Sequence, residues 1–127
     1  QMAKEQAMKD AMAMAKKNFV NQDVLFAYDS SELSPAAVAL LKVKAEWLRE
    51  NPGQRVTIEG HCDERGTTEY NLALGERRAA VVKNYLVNLG ISSSRLGTIS
   101  YGEEQPIAAG TGENAYRLNR RAHFAID

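Results

Sequence analysis

The chain has 127 residues, and its 16 acidic and 16 basic side chains leave no formal net charge. This length suits one domain with a short appendage. The charge balance argues against a nucleic-acid surface, which normally shows a basic excess, and no apolar run approaches the roughly 20 residues that a bilayer-spanning helix needs.

The first predicted element is a helix over residues 2–17, where Ala, Met and Lys dominate, because all three are good helix formers. Small or flexible apolar side chains share one edge of it: Ala3, Ala7, Ala11, Ala15, Met8 and Met12. Two interpretations remain open: a helix that lies on the domain or ends a tether, and a helix that binds a partner. We treat residues 1–20 as this segment and residues 21–127 as the domain.

A short strand is predicted over residues 24–28, and a helix follows it. Ser34 and Pro35 mark the start of this helix, because serine caps a first turn and proline is tolerated at the first helical position. The helix is predicted to bury Leu41, Ala45 and Leu48 and to end near residue 50, before an Asn-Pro-Gly sequence.

The second strand is predicted over residues 55–60, with Val56 and Ile58 on its buried face. Cys62 continues that face, whereas Glu59 and His61 take the other. A long helix that ends before a glycine, residue 90, comes next. Strands over residues 96–101 and 122–126, with a short helix over 113–118 between them, complete the chain. Strands that alternate with helices predict right-handed crossovers and a mostly parallel sheet.

The long helix carries a cation on its apolar face. At 100° per residue, six residues fall within about 60° of Arg78: Asn71, Leu74, Val81, Val82, Tyr85 and Leu89. An unpaired charge there would cost several kcal/mol, so the pattern predicts a carboxylate partner, and Asp63 is the best placed. The pair is either a salt bridge that holds a loop to the helix or a site for a ligand with both an ammonium and a carboxylate.

His61, Cys62 and Asp63 together could suggest a metal or a thiol site. Zinc needs three or four convergent ligands, but Cys62 is expected to face the core and the only other histidine, His123, is predicted on a distant strand. A thiol nucleophile also needs an activating base and an accessible sulfur. We expect no metal, no cofactor and no catalytic residue, and we assign Cys62 a structural role as a small apolar side chain.

Ordered motifs resemble a known family over residues 24–126. They are FAYD, GHCDERGTTEYN, LGERRA, SYGEEQP and NRRA, in chain order. The chain is similar to the OmpA-like peptidoglycan-binding domains of outer-membrane protein A, flagellar stator proteins and peptidoglycan-associated lipoproteins (Pal), and the second and third motifs are closest to Pal. The resemblance implies an α/β (α+β) two-layer sandwich with a four-stranded mixed sheet, βαβαββ in order, whose last strand is antiparallel.

The resemblance also implies a function. Family members anchor an outer membrane to peptidoglycan without catalysis, by holding the free amino-acid end of meso-diaminopimelate in the stem peptide. The matching residues are Asp63, for the ammonium, and Arg78, for the carboxylate, since guanidinium takes a carboxylate in a fork of two hydrogen bonds. Arg65 and Thr67 match family positions that contact the stem peptide, although Arg65 could be a solvated loop charge.

Further residues are assigned to the cleft or to its support. Tyr28 and Asp29 match positions that wall the cleft, although Asp29 could equally cap a turn. Asn71 shares the helical face of the predicted site, where its amide suits a polar wall, and capping of the helix is its alternative role. Arg120, just before the last strand, is expected to point inward toward a carboxylate and to be structural.

The Pal resemblance implies partners and a location. Pal proteins work with TolB and other Tol proteins on the periplasmic side of the Gram-negative outer membrane, to which a lipid on an N-terminal cysteine attaches them. The chain begins instead at Gln1 and shows no signal peptide, so we expect a trimmed soluble fragment. The alternatives are a TolB-binding module in which Asp63 and Arg78 are purely structural, and a wall peptidase, which the missing base–nucleophile pair and metal set argue against.

Overall fold

The computed structural model describes all 127 residues. Its elements, in chain order, are α1 (Met2–Asn21), β1 (Val24–Leu25), α2 (Pro35–Glu50), β2 (Val56–His61), α3 (Thr68–Asn88), β3 (Leu96–Gly102), α4 (Glu113–Asn119) and β4 (Arg121–Ile126). Helices α2 and α3 cover one face of the sheet and share its apolar core. The predicted two-layer sandwich is confirmed, and no helix is long and apolar enough to cross a membrane.

The sheet has the strand order β1-β4-β2-β3. Strand β3 pairs with β2 in parallel, whereas β4 lies antiparallel between β1 and β2. Strands β1, β2 and β3 run in the same direction, as their alternation with helices predicted, and the last strand is antiparallel as expected. Because β4 inserts between the first two strands, only β2 and β3 pair in parallel. The ends of β1, β2 and β3 therefore meet at one edge of the sheet, next to the start of β4.

Local sequence signals account for helix α2. The Ser34 hydroxyl accepts a hydrogen bond of 3.1 Å from the main-chain nitrogen of Ala37, and Pro35 follows as the first helical residue. The predicted inner face of α2, Leu41, Ala45 and Leu48, is fully buried. Burial of such side chains supplies most of the helix stability.

Helix α1 contacts the domain only at its end. Residues 1–18 are all exposed, and Phe19 is the buried residue of the helix. The Phe19 ring stacks on Trp47 at 4.2 Å and meets the edge of Phe124 at 5.3 Å. The helix is confirmed, but it does not lie along the domain, and its last turn belongs to the core.

Lys44 is a buried cation beneath α1. Its ammonium donates to the main-chain oxygen of Phe19 and lies 4.6 Å and 4.4 Å from the centres of the Phe19 and Phe124 rings. Burial lowers the pKa of Lys44 from 10.5 to about 8, against the opposing effect of the Asp23 charge. The folded protein therefore releases this proton more readily than the unfolded chain.

We expect the free energy of unfolding to rise as the pH is raised from about 8 to 10.5, because the unfolded chain still binds the Lys44 proton over this range. Urea unfolding of wild type and Lys44→Met on both sides of the range measures this contribution. The substitution should remove a rise of up to about 3 kcal/mol, while the exposed control Lys42→Met should keep it. The same pH dependence in both variants would contradict the assignment.

Candidate ligand-binding site

A cleft of about 280 Å³ lies at the sheet edge where β1 and β2 end and α3 begins. Its walls are Tyr28, Asp29, Cys62, Asp63, Arg65, Gly66, Tyr70, Asn71, Leu74 and Arg78. All the ligand-binding residues predicted from the sequence line it except Thr67. Residues from three separate segments therefore meet in one cavity, as the resemblance implied.

Arg78 is the innermost cation of the cleft, with 1% of its surface exposed. Its Nε donates to the main-chain oxygen of Ser30 at 2.8 Å, Nη1 to that of His61 at 2.9 Å and Nη2 to that of Ala27 at 3.1 Å. No carboxylate oxygen lies within 4.0 Å of these nitrogens, so the predicted ion pair with Asp63 is wrong. Main-chain carbonyls from the turn after β1 and from the last residue of β2 accept the hydrogen bonds of the guanidinium instead.

This arrangement leaves part of the Arg78 guanidinium available. The group has five N–H donors, and the three carbonyls take one from each nitrogen. One N–H on each terminal nitrogen remains, and two such N–H groups can together bind a carboxylate in a fork. Burial lowers the pKa of Arg78, opposed by the charge of Asp63, but arginine is so basic that the group stays cationic at neutral pH.

Asp63 is buried at the mouth of the same cleft and is paired with other cations. Arg65 donates to its two carboxylate oxygens, Nη2 at 2.7 Å and Nε at 3.2 Å, and Arg120 lies 3.6 Å away. Burial raises the pKa of Asp63, but the hydrogen bonds and charge of Arg65 outweigh this effect and hold the pKa below its usual value. The carboxylate is therefore ionised at neutral pH.

Arg65 is fixed by its neighbours rather than being a freely solvated loop charge, and 35% of its side chain is exposed. Its guanidinium lies between the Tyr28 ring, 4.0 Å from its centre, and the Tyr116 ring, at 4.4 Å. The Tyr116 hydroxyl donates to Glu64 at 3.0 Å. Sequence reasoning missed Tyr116, because α4 reaches Arg65 only through tertiary packing and no local pattern marks it.

Thr67, rather than Asn71, caps helix α3. The Thr67 hydroxyl accepts a hydrogen bond of 3.1 Å from the Tyr70 nitrogen and caps α3. The capping role for Asn71 is therefore wrong. The Asn71 amide instead donates to the Arg65 main-chain oxygen at 3.0 Å and to Glu103 at 3.1 Å. It ties the loop of Asp63 and Arg65 to the helix of Arg78.

Tyr28, Asp29 and Tyr70 form the outer rim of the cleft. Asp29 has a positive φ of 52°, and its carboxylate accepts a hydrogen bond from the Tyr70 hydroxyl across the opening. Ser30, rather than Asp29, accepts the turn hydrogen bond, from the Glu32 nitrogen at 3.0 Å. Tyr70 is a second residue that the sequence analysis did not assign to the cleft. Its position next to Asn71 in the first turns of α3 could have indicated that it lies near the cleft.

Arg120 lies behind the cleft and contacts Asp63, one of the residues that form its walls. It is buried, its Nε donates to the main-chain oxygen of Phe26 at 2.8 Å, and its Nη2 lies 2.7 Å from Glu113. Together with the 3.6 Å approach to Asp63, these contacts connect β1, α4 and the loop after β2. This is the inward orientation toward carboxylates that the strand pattern predicted.

The two histidines are closer than the sequence suggested. Because β4 lies beside β2, His61 and His123 are on neighbouring strands rather than distant ones. Each binds its own carboxylate: His61 Nε2 lies 3.2 Å from Glu59, and His123 Nδ1 lies 2.7 Å from Asp23. Each histidine thus has a carboxylate partner of its own.

Cys62 is buried between the strand end and α3. Its thiol donates to the main-chain oxygen of Asn71 at 3.2 Å. Burial raises the pKa of this thiol, opposed by the charge of Arg78. The sulfur is therefore a protonated, enclosed group at neutral pH, unlike an activated thiolate.

Comparison with known proteins places this cleft in a family context. The OmpA family model matches residues 25–120. The peptidoglycan-associated lipoprotein of Pseudomonas putida is 54% identical over 99 residues, which are 78% of this chain and 59% of that protein. The chain thus spans about three-fifths of the length of this curated relative.

Solved structures agree with the fold. The crystal structure of the peptidoglycan-associated lipoprotein from Burkholderia pseudomallei has a TM-score of 0.80 and 38% identity, covering 84% of this chain and 91% of that one. The cell wall anchor of the T6SS from Pseudomonas aeruginosa has a TM-score of 0.68 and 27% identity, covering 79% of this chain and 72% of that one.

Proposed function

The chain belongs to the OmpA family, and from this premise we propose that it is a non-catalytic module that binds peptidoglycan and anchors an outer membrane to the cell wall. The names of its relatives support this proposal, since they include peptidoglycan-associated lipoproteins and a cell wall anchor. We further propose that the protein works on the periplasmic side of a Gram-negative outer membrane, attached through a lipid anchor upstream of the segment described.

One observation carries the proposal: a buried guanidinium with an unused fork shares a cleft with an ionised carboxylate. Arg78 offers two N–H groups, and Asp63 lies in the same cavity of about 280 Å³. The side-chain end of meso-diaminopimelate carries a carboxylate and an ammonium on one carbon, so its two charges match the two groups. The three carbonyls that fix Arg78 hold the fork in place before the ligand arrives, which lowers the entropy cost of binding.

A single stem peptide should bind modestly. One zwitterion must offset its own desolvation and that of a polar cleft. The polymer presents the same stem many times, so several modules on one membrane gain avidity without further contacts. Firm anchoring therefore needs only a weak individual site.

Binding should require the ionised Asp63. We expect Asp63→Asn to reduce co-sedimentation with purified peptidoglycan that contains diaminopimelate, weakening the affinity at least about tenfold, because the amide cannot neutralise an ammonium. Asp10→Asn, on the exposed face of α1, is the matched control and should sediment like wild type. A folded Asp63→Asn protein with wild-type sedimentation would contradict the proposal.

Arg65 should compete with the ligand for Asp63. Its guanidinium already contacts both carboxylate oxygens, so an incoming ammonium must displace or share it. We expect Arg65→Gln to bind free meso-diaminopimelate several-fold more tightly, as measured by calorimetry, because one competing cation is removed. Weaker binding of the free amino acid would show that Arg65 holds the ligand rather than occupying its place.

A protein partner at the same surface is our second proposal. The cleft rim exposes aromatic side chains, Tyr28 at 58% and Tyr70 at 44%, and aromatic residues are enriched at protein interfaces. The Pal resemblance suggests TolB, and with it a Tol–Pal complex, as the partner. Labelled TolB should bind and be displaced by muropeptide, and binding without such competition would place the partner elsewhere.

A further inference from the structure

Helix α1 carries an apolar stripe that begins in the core and continues into solvent. At 100° per residue, Met8, Met12, Ala15 and Phe19 fall within about 60° of one another. Phe19 is buried in the core, whereas Met8 and Met12 are 64% and 65% exposed. The stripe therefore stays apolar where the helix extends beyond the domain into solvent.

A groove lies where this stripe meets α2. It has a volume of about 410 Å³ and is lined by Ala15, Asn18, Phe19, Gln22, Val43, Lys44, Glu46, Trp47 and Glu50. Val43 stands on its α2 side with 64% of its surface exposed. The groove thus combines apolar walls with two acidic residues, Glu46 and Glu50, and the buried Lys44.

The exposed stripe needs a partner. The first 18 residues of the chain are all exposed, although helices in proteins gain most of their stability from packing an apolar face. Contiguous apolar surface on a protein commonly marks an interaction site. Methionine is well suited to such a site, because its flexible thioether adapts to an irregular surface.

We propose that the stripe and groove form an interface with a second copy of this chain, in which the two α1 helices pair antiparallel. The stripe on one helix can pack against the same stripe on a second helix that runs in the opposite direction. When Met8 lies opposite Phe19 of the other copy, Met12 lies opposite Ala15, so a long side chain faces a small one. Such a two-fold interface uses the same patch on both copies and closes on itself.

Charge also favours a second copy as the occupant. Helix α1 has four lysines and two acidic residues, a net charge of +2, whereas Glu50 and Glu46, the latter also in contact with Arg49 at 3.1 Å, border the groove. In the antiparallel pairing, Met8 enters the groove of the other copy. Lys4 and Lys9, which flank Met8, then lie near those two carboxylates.

Sedimentation velocity of the 127-residue chain over a wide concentration range tests the pairing. We expect a reversible dimer whose dissociation constant rises at least about tenfold in Met8→Lys/Met12→Lys, since two charged side chains then replace two apolar ones in the interface. The matched control is Met2→Lys/Met14→Lys, which changes two exposed methionines about 120° away from Met8 and should dimerise like wild type. Val43→Lys, at the groove, should weaken the dimer as well.

Three outcomes would overturn the proposal. They are a monomer at every concentration, an equal loss of dimer in both double variants, and a monomer that binds anionic lipid vesicles only when Met8 and Met12 are intact, which would assign the stripe to a membrane surface. Circular dichroism of each variant checks that the domain remains folded. The pairing is independent of the wall site, so Met8→Lys/Met12→Lys should keep wild-type affinity for a single muropeptide.

Discussion

Replacing Arg78 by lysine is expected to lower the affinity for a diaminopimelate muropeptide about a hundredfold, equivalent to nearly 3 kcal/mol. Lysine keeps the charge but presents it as a single point, so it cannot bond three carbonyls and still offer a fork. In the protein, the Arg78 guanidinium reaches the main-chain oxygens of Ala27, Ser30 and His61 at once. An ammonium there would leave at least one carbonyl and the ligand carboxylate poorly bonded.

The neighbouring arginine provides the control for this experiment. Arg77 is exposed and lies outside the cleft, 5.7 Å above the Tyr70 ring. Calorimetric titration of Arg77→Lys should give an affinity within about threefold of wild type. If Arg78→Lys remained folded and bound as tightly as Arg77→Lys, the guanidinium fork would not be the element that holds the carboxylate.

Adding one methyl group at Gly60 is expected to destabilise the fold by at least about 3 kcal/mol. Strand β2 and helix α3 touch main chain to main chain at this point. A Cβ on Gly60 would overlap the carbonyl oxygen of Gly75 and lie 2.9 Å from its Cα. Because both neighbours are backbone atoms, neither can rotate away, and the helix must move off the strand.

Gly60→Ala should therefore affect the site as well as stability. Movement of α3 away from β2 would shift Arg78 relative to the Ala27 and His61 carbonyls. Chemical unfolding measures the stability change, and Gly53→Ala is the control, because nothing lies within 4 Å of a Cβ at that position. Similar midpoints for the two alanine variants would mean that the close approach imposes no constraint.

The sequence predicted those features that depend on local pattern. The cap at Ser34, the buried face of α2 and the end of α3 before Gly90 follow from nearest-neighbour geometry and helical periodicity, and the structure confirms them. Periodicity also placed Arg78 on the buried face of α3, where it lies. Ordered motifs then placed the chain in its family, which the comparison with known proteins confirms.

Features that depend on tertiary arrangement were not predictable in the same way. The pattern required a partner for Arg78 but could not show that carbonyls would supply it, because Ala27 and Ser30 follow β1, whose position is set by pairing with β4 at the far end of the chain. Likewise, Asp63 pairs with Arg65, whose guanidinium is held between the rings of Tyr28 and Tyr116, two residues that are far from it in the sequence. The helical pattern, which required a partner for Arg78, therefore assigned Asp63 to the wrong cation.

We propose that Asp63 and Arg78 together recognise one zwitterionic side-chain end. This recognition is tested most directly by titrating the wild-type chain calorimetrically with a muropeptide that contains meso-diaminopimelate and with its lysine counterpart, which lacks the side-chain carboxylate. We expect measurable binding of the first and at least about tenfold weaker binding of the second, because the Arg78 fork then has no carboxylate to hold. Equal binding of the two, or binding of neither, would contradict the claim and leave the cleft with a purely structural role.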